Sequence, residues 1–284
     1  MRGGAEQVPD DGVREFELTA GEYAEICQLV RIHTGITLSD NKRELVYSRL
    51  TRRLRRLQLR TFRQYIELLA TGDPAELEEF MNAITTNLTA FFREDHHFDH
   101  LVDEVFAELA AKNTATRRIR IWSAGCSTGE EPYSIAIALH ENLARFSHWD
   151  VKILATDLDS NVVAHASAGI YANDRIEKMR PDRLKTYFSR SSEGRWATAP
   201  CLKNLITFKL LNLMHDWPMR GPFDIIFCRN VVIYFDKPTQ RELFDRMANM
   251  QLTGAHLFIG HSESLLKVTD RYKLIGRTVY RKVT

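Results

Sequence analysis

Apolar residues recur at helical spacing along the first 85 residues, and no short strand-like run interrupts them. Thr19 and Glu22 have the spacing of a capping box, which predicts a helix that ends at Gly35. Further signals for the start of a helix stand near Ser39, near Thr61 and at Asp73-Pro74. The pattern therefore predicts an all-helical domain over 16–88, preceded by a flexible polar tail over 1–15.

The pattern changes after residue 88, where short apolar runs alternate with helical periodicity. The runs that predict strands are 119–123, 151–155, 205–208, 223–228 and 256–259. Helical periodicity separates most of them, over 132–145, 161–168 and 238–250. This alternation predicts an α/β domain over 89–284, a doubly wound, Rossmann-like parallel sheet with helices on both faces. The segment 272–282 predicts a hairpin at one edge, and the segment at about 188–208 predicts an insertion.

The composition is that of an ordinary soluble globular protein, with 44% hydrophobic and 27% charged residues. No run of 18 apolar residues is present, so we expect no insertion into a membrane. The net charge of +2 conceals an uneven distribution, because the segment 42–63 carries nine basic residues and one acidic residue. That segment has a charge of +8, and the remainder of the chain has a charge of −6.

Most of the excess positive charge falls on one predicted helix. Five arginines share a stripe at helical spacing and a sixth, Arg55, flanks it; the five are Arg49, Arg52, Arg53, Arg56 and Arg60. Arginines at this density repel one another, which favours a negatively charged partner over a merely solvated face. Charge alone leaves nucleic acid, a membrane surface and an acidic protein as candidates.

The cysteines and histidines give little indication of a metal or disulfide framework. The four cysteines are far apart and form no CxxC pair. His96 and His100 lie one helical turn apart, but no metalloprotease-type carboxylate motif accompanies them, and we expect no metal. The first residues contain no apolar secretory core, so a reducing cytoplasm is the expected location.

The first predicted strand ends in a turn of small residues, 124–129, at the place where doubly wound sheets bind nucleotide-like ligands. We assign Glu130 to helix capping and leave Glu131 for a ligand. Asp157, at the end of the second strand, is placed to accept hydrogen bonds from two ribose hydroxyls, whereas Asp159 suits a helix cap. Since the turn matches neither the dinucleotide nor the P-loop fingerprint, it favours S-adenosylmethionine, with NAD as the second candidate.

Four segments together resemble the CheR-type chemotaxis receptor methyltransferases, in the order found in that family. They are 85–94 (TTNLTAFFRE), 127–134 (STGEEPYS), 223–236 (FDIIFCRNVVIYFD) and 260–263 (GHSE). The resemblance covers about residues 18–282. It implies an S-adenosylmethionine-dependent protein-glutamate O-methyltransferase that forms γ-methyl esters on chemoreceptors, and S-adenosylhomocysteine, for sensory adaptation. It also implies that the insertion at about 188–208 is a β-subdomain.

The resemblance can be carried over position by position. It implies cofactor contacts at Asn87, Thr89, Arg93, Glu131, Asp157, Asn212, Leu213, Arg229 and Asn230. It places Arg93 and Tyr234 beside the reacting methyl group, as the catalytic pair. Arg49 and Arg55 correspond to positions linked to receptor recognition. We therefore predict that the six arginines dock the acidic, cytoplasmic helical bundle of a chemoreceptor; they are Arg49, Arg52, Arg53, Arg55, Arg56 and Arg60.

Some members of that family bind a pentapeptide at the receptor C-terminus through the β-subdomain. Here the insertion is short, with 191–194 as its only turn-like run, so we expect no such tethering. We expect a monomer.

Two other functions compete with this prediction. A nucleic-acid methyltransferase would use the arginine-rich helix. However, the Asp/Asn-Pro-Pro-Tyr signature of amine-methylating enzymes is missing after 223–228, and the stripe has no aromatic residues for base stacking. A sensor or scaffold would bind the cofactor without turnover.

Overall fold

The computed structural model describes residues 14–142, 146, 148–191 and 193–284, so most of the tail predicted over 1–15 lies outside the described residues. The helical domain contains α1 (Ala20–Thr34), α2 (Arg43–Leu57), α3 (Phe62–Ala70) and α4 (Pro74–Ile84). Their apolar side chains form one buried core together with Phe16 and Leu18. Among the described residues, no helix combines the length and apolar character needed to cross a bilayer.

The helix boundaries follow the predicted signals wherever a side chain caps the helix. Thr19 and Glu22 form both bonds of the capping box, and Gly35 ends α1 with a φ of 74°. Thr61 caps α3 and Asp73 caps α4. The second helix differs from the prediction, since a 3-10 turn over Asp40–Lys42 precedes it and α2 begins only at Arg43.

A seven-stranded sheet forms the second domain, in the order β6-β2-β1-β7-β8-β10-β9. Its strands are β1 (Arg118–Ala124), β2 (Asp150–Asp157), β6 (Ile206–Leu210), β7 (Phe223–Cys228), β8 (Gln251–Ile259), β9 (Tyr272–Gly276) and β10 (Val279–Lys282). The first five pair in parallel, and the β9-β10 hairpin joins β8 in antiparallel fashion. The predicted parallel sheet with an edge hairpin is confirmed.

Helices cover both faces of this sheet. A continuous helical segment leads from the helical domain into β1, as α5 (His96–His100), a π-helical turn (Leu101–Val105) and α6 (Phe106–Lys112). After β1, β2 and β7 come α7 (Glu130–Glu141), α8 (Ser160–Ala168) and α12 (Lys237–Asn249). Two separate clusters of buried apolar residues result, one centred on Ile121 and the other on Trp122, which point to opposite faces of β1.

A small antiparallel sheet lies beside the main one, in the order β3-β5-β4. Its strands are β3 (Ile170–Tyr171), β4 (Phe188–Arg190) and β5 (Trp196–Thr198), with the short helices α9 (Asn173–Ile176), α10 (Pro181–Tyr187) and α11 (Pro200–Lys203) between and after them. Its extent differs from the insertion expected at about 188–208. Its first strand lies at 170–171, too short to be visible as a pattern, and 206–210 belongs to the main sheet as β6.

The helical domain lies across the carboxyl ends of the parallel strands. The amide of Thr37 donates to the carbonyl of Tyr234 at 2.8 Å. Asn82 Nδ2 donates to Ser160 Oγ at 2.9 Å, and Asn212 Nδ2 donates to the carbonyl of His33 at 2.6 Å. These contacts close one side of the crevice in which open α/β sheets bind their ligands.

Candidate active site

A cavity of about 580 Å³ lies between the helical domain and the carboxyl ends of β1, β2 and β7. All ten residues predicted for cofactor binding or catalysis line it, although they come from five separate parts of the chain. They are Asn87, Thr89, Arg93, Glu131, Asp157, Asn212, Leu213, Arg229, Asn230 and Tyr234. The fold therefore brings the predicted set together at one place, while their individual roles stay predictions.

The turn after β1 brings the backbone close to the loop after β7. Gly125 has a φ of +89°, and a Cβ atom at this position would collide with the side chain of Val231. The amides of Gly125 and Cys126 both donate to the carbonyl of Thr156 at the end of β2. Only glycine satisfies both the positive φ and the close approach, so this turn forms a narrow, backbone-lined wall of the cavity.

Asp157 and Asp159 take the separate positions that the sequence predicts. The Asp157 carboxylate lies on the cavity wall, where it accepts hydrogen bonds from the amides of Ser127 at 2.8 Å and Asp159 at 3.0 Å. Burial raises the pKa of Asp157. Asp159 caps α8 instead, since its side chain accepts from the amides of Asn161 and Val162. The assignment of Asp159 as the cap is confirmed.

The capping role predicted for Glu130 is wrong. Gly129 is the N-cap of α7 and makes no side-chain cap bond. The fully buried Glu130 carboxylate instead accepts from Thr128 Oγ1 at 2.6 Å and forms an ion pair with Arg175. Arg175 lies 45 positions further along the chain, so its tertiary position determines the role of Glu130.

Glu131 belongs to a charged cluster at the base of the cavity. Its carboxylate accepts from Ser123 Oγ at 2.7 Å and lies 3.3 Å from the Arg229 guanidinium. Burial raises the pKa of Glu131, while the charge of Arg229 opposes that shift. Arg229 also donates to the carbonyl of Arg93 and lies 3.4 Å from Glu94. The cluster fixes the cavity floor and couples it to Arg93.

Two predicted cofactor residues use their amide side chains to hold loops. Asn87 Nδ2 donates to Asp159 Oδ2 at 2.7 Å, which attaches the segment after α4 to the end of β2. Asn212 donates to the helical domain through His33 and accepts from the amide of Met214 at 2.9 Å. Both residues line the cavity and at the same time determine its shape.

The predicted catalytic pair lines the cavity from two separate elements, the segment after α4 and the 3-10 turn Val232–Tyr234. Arg93 Nη1 donates to the carbonyl of Leu88 at 2.8 Å, and Arg93 Nε lies 4.0 Å from Glu94 Oε1, whereas Nη2 has no hydrogen bond among the described residues. The Tyr234 hydroxyl likewise has no hydrogen-bond partner in the described part of the chain. Both groups are thus available to a bound molecule.

Glu263 is a functional candidate for which no individual role was predicted, although it lies in the quoted segment 260–263. It is buried, and its carboxylate accepts from four backbone amides, those of Asn230, Val232, Ile233 and Gly260. Three of them belong to the segment that follows β7, residues 229–235, here called the post-β7 loop. Asn230 in that loop has a φ of 59°, a conformation that the carboxylate helps to hold.

The arginine stripe is not one accessible surface, contrary to the prediction. Arg53 is buried and pairs with Glu76 at 2.5 Å and Glu79 at 2.8 Å, so it is a core residue of the helical domain. Arg49 donates to the carbonyls of Ile84 and Thr85 and lines the cavity. The periodicity identified one helix face correctly but could not show that α4 packs against part of it.

The other three members of the stripe and the flanking Arg55 are exposed. Arg55 pairs with Glu15, whereas Arg52, Arg56 and Arg60 have no ion pair with any residue that the structure describes. Counting α2 and the turn before it, Lys42, Leu45, Arg49, Arg52 and Arg56 follow helical spacing on one face, and the first three of them line the cavity. The accessible positive face therefore starts at the cavity mouth.

Two histidines of the histidine-rich segment contact other parts of the fold. His97 is fully buried, and its Nε2 atom lies within hydrogen-bond distance of Thr278 Oγ1 and the carbonyl of Arg277. Glu94, His96 and His97 have ligand atoms within reach of one another, but Glu94 is already paired with Arg229 and His261. His100 lies apart and pairs with Glu104.

Comparisons with known proteins agree on one family. The profile described as "CheR methyltransferase, SAM binding domain" matches residues 87–281, and the one described as "CheR methyltransferase, all-alpha domain" matches residues 21–85. A probable chemotaxis protein methyltransferase of Rhizobium etli is 45% identical over 255 residues, 88% of this chain and 95% of its own. Chemotaxis protein methyltransferase 2 of Pseudomonas aeruginosa is 43% identical over 276 residues, 96% of each chain. The chemotaxis protein methyltransferase of Escherichia coli is 41% identical over 269 residues, 93% of this chain and 91% of its own.

Proposed function

Because the chain belongs to the CheR family of chemotaxis methyltransferases, with a domain that binds S-adenosylmethionine, we propose that it methylates glutamate side chains of chemoreceptors. The products are glutamyl γ-methyl esters and S-adenosylhomocysteine. The observation that carries the proposal is one cavity that joins two acidic groups for the cofactor to Arg93 and Tyr234.

The residues of the cavity suit this cofactor. Asp157 would hold the ribose hydroxyls, and Glu131 offers a carboxylate for the cationic end of the molecule. The turn at Gly125 lets the adenosyl group lie against backbone, with no phosphate-binding sequence beside it. When bound, S-adenosylmethionine supplies an electrophilic methyl group on a sulfonium.

The acceptor requires positioning more than proton transfer. A glutamate side chain has an ordinary pKa of about 4.3 and is ionised at neutral pH, so it needs no general base. Arg93 would hold the acceptor carboxylate through its Nη2 atom, and the Tyr234 hydroxyl would orient it. Both act by alignment and by the exclusion of water, which can lower a barrier by about 7–11 kcal/mol.

The cation-rich face of α2 is the proposed docking surface for the cytoplasmic helical bundle of a receptor. Its accessible members Arg52 and Arg56 continue from the cavity mouth, which suits an acidic partner that carries the acceptor glutamate. Methylation would remove negative charge from that bundle and shift its signalling equilibrium.

The proposal is tested with tritiated S-adenosylmethionine and membranes that carry chemoreceptors. We expect base-labile label on the receptors, released as methanol. Tyr234→Phe should lower kcat about tenfold or more while cofactor affinity is unchanged. Tyr47→Phe, outside the cavity, is the matched control. Base-stable label would contradict the ester, and label on nucleic acid alone would support the rival methyltransferase.

A further inference from the structure

The mouth of the cavity carries three exposed apolar side chains. Leu88 is 75% exposed, Ile233 is 49% exposed and Leu45 is 38% exposed, and all three line the cavity. They come from three separate elements: the segment after α4, the post-β7 loop and α2. Exposed apolar side chains that converge on one opening indicate a surface that becomes buried on binding.

Hydrogen bonds hold the main chain at two of these three residues. The carbonyl of Leu88 accepts from Arg93 Nη1, and the amide of Ile233 donates to the buried Glu263 carboxylate at 3.2 Å. Leu88 is thereby attached to one predicted catalytic residue, and Ile233 precedes the other, Tyr234, directly. Two of the three apolar residues are therefore immediate neighbours of the predicted catalytic pair.

Cations flank the same opening. Lys42 and Arg49 lie on either side of Leu45 along one face of the turn and helix α2, and both line the cavity. The mouth thus combines an apolar rim with positive charge. This pairing complements a protein surface on which an apolar side chain lies next to a glutamate.

We propose that Leu45, Leu88 and Ile233 form an apolar collar that selects the acceptor glutamate by an apolar residue beside it. This inference rests on the proposed function and adds a basis for the choice of the acceptor glutamate. The occupant is the segment of the methyl-accepting protein that bears the acceptor glutamate, with an apolar side chain buried against Leu88 and Ile233 as the carboxylate enters. Acidic segments without such a neighbour would meet the cations but leave the collar in water.

The first test measures receptor methylation by Leu88→Ser and Ile233→Ser on chemoreceptor membranes. Each should raise the KM for receptor about tenfold, while the affinity for S-adenosylmethionine, measured by calorimetry without receptor, stays at the wild-type value. Leu266→Ser is the matched control, because Leu266 is 77% exposed and lies outside the cavity lining. An unchanged KM in both collar variants, or an equal rise in the control, would overturn the collar.

A double-mutant cycle then tests the contact itself. An apolar residue beside a methylated glutamate of the receptor is replaced by serine. The KM of the wild-type enzyme for this receptor should rise as much as the KM of Leu88→Ser rises for the unmodified receptor. When both changes are combined, the free-energy cost calculated from KM should be smaller than the sum of the two single costs. Additive losses would contradict the collar while wild-type labelling still supports the proposed function. If the wild-type enzyme labels no receptor, the proposed function itself fails.

Discussion

Glu94 shows how one carboxylate connects several parts of the site. It lies 2.9 Å from His261 Nδ1, 3.4 Å from Arg229 and 3.5 Å from His97. Burial opposes its ionisation, but the hydrogen bond from His261 and the charge of Arg229 outweigh that effect and lower the pKa of Glu94 to about 2. It therefore remains an anion at physiological pH and holds Arg229 toward the cavity floor.

His97 makes the fold sensitive to acid. Burial, followed by the charge of Arg229, lowers the pKa of His97 from 6.5 to about 3. The unfolded chain binds a proton at this side chain below about pH 6.5, whereas the folded chain does so only near pH 3. Between these values the unfolded state holds more protons, so the free energy of unfolding decreases as the pH falls.

We predict that His97→Gln reduces this dependence by close to one proton, about 1.4 kcal/mol per pH unit. Urea denaturation between pH 6 and pH 4 measures the slope. His148→Gln removes a histidine at an exposed position instead of a buried one and serves as the control. An unchanged slope in the His97 variant would show that this histidine is not the titrating group.

The post-β7 loop is the element that most directly shapes the site. It carries Arg229, Asn230 and Tyr234, yet it has only the 3-10 turn Val232–Tyr234 as regular structure. Glu263 supplies the hydrogen-bond acceptors that a helix or sheet would otherwise provide. Its carboxylate accepts hydrogen bonds from three amides of the loop and from the amide of Gly260. A Cβ atom at Gly260 would collide with Asn230, so the end of β8 must approach the loop as bare backbone.

Glu263→Gln should therefore lower both kcat and the affinity for S-adenosylmethionine, each by about tenfold or more, since an amide cannot accept all four bonds. Glu76→Gln is a matched control, because Glu76 and Glu263 are both 6% exposed and Glu76 pairs with Arg53 away from the cavity. At a temperature where both variants are folded, the control should keep wild-type kcat. If Glu263→Gln lowers the free energy of unfolding but leaves kcat and cofactor affinity unchanged, the prediction is wrong and the role of Glu263 is structural only.

For the whole molecule, the distribution of charge matters more than its sum. The helical domain covers the carboxyl edge of the sheet, and its α2 presents Arg52 and Arg56 to solvent without a described ion-pair partner. Arg53 follows Arg52 directly on α2, but it is buried where α2 packs against α4 and pairs with Glu76 and Glu79 instead. The free cations therefore continue from the cavity mouth, as the proposed docking of a receptor bundle requires.

The double substitution Arg52→Ala and Arg56→Ala should raise the KM for receptor, with the largest difference from wild type at low salt, where screening is weakest. Cofactor affinity should not change. Lys209 and Lys273, exposed on the sheet domain, give a control with the same loss of charge when both are replaced by alanine. If the control raises KM equally, general attraction rather than docking explains the effect; if cofactor affinity falls, the face belongs to the active site.

The sequence alone determined the features that depend on local spacing and on long contiguous motifs. Capping signals at Thr19, Thr61 and Asp73, the alternation of strands and helices, and the separate positions of Asp157 and Asp159 all follow from neighbours within a few residues. The family follows from the segments 85–94, 127–134, 223–236 and 260–263, which are too long to arise by chance. Each of these signals depends only on residues that are close together in the sequence, so it can be recognised without the tertiary structure.

Only the tertiary structure decided which charges are free and which are neutralised. Glu130 pairs with Arg175, Arg53 pairs with Glu76, and Glu263 binds amides some 30 residues earlier, and none of these partners is fixed by spacing along the chain. The physical reason is that a charged group takes its role from whatever lies within a few ångströms of it in a partly desolvated place. Packing brings those groups together and gives the cations of the +8 segment three different environments. Arg53 forms a buried ion pair, Lys42 and Arg49 line the cavity, and Arg52 and Arg56 face solvent.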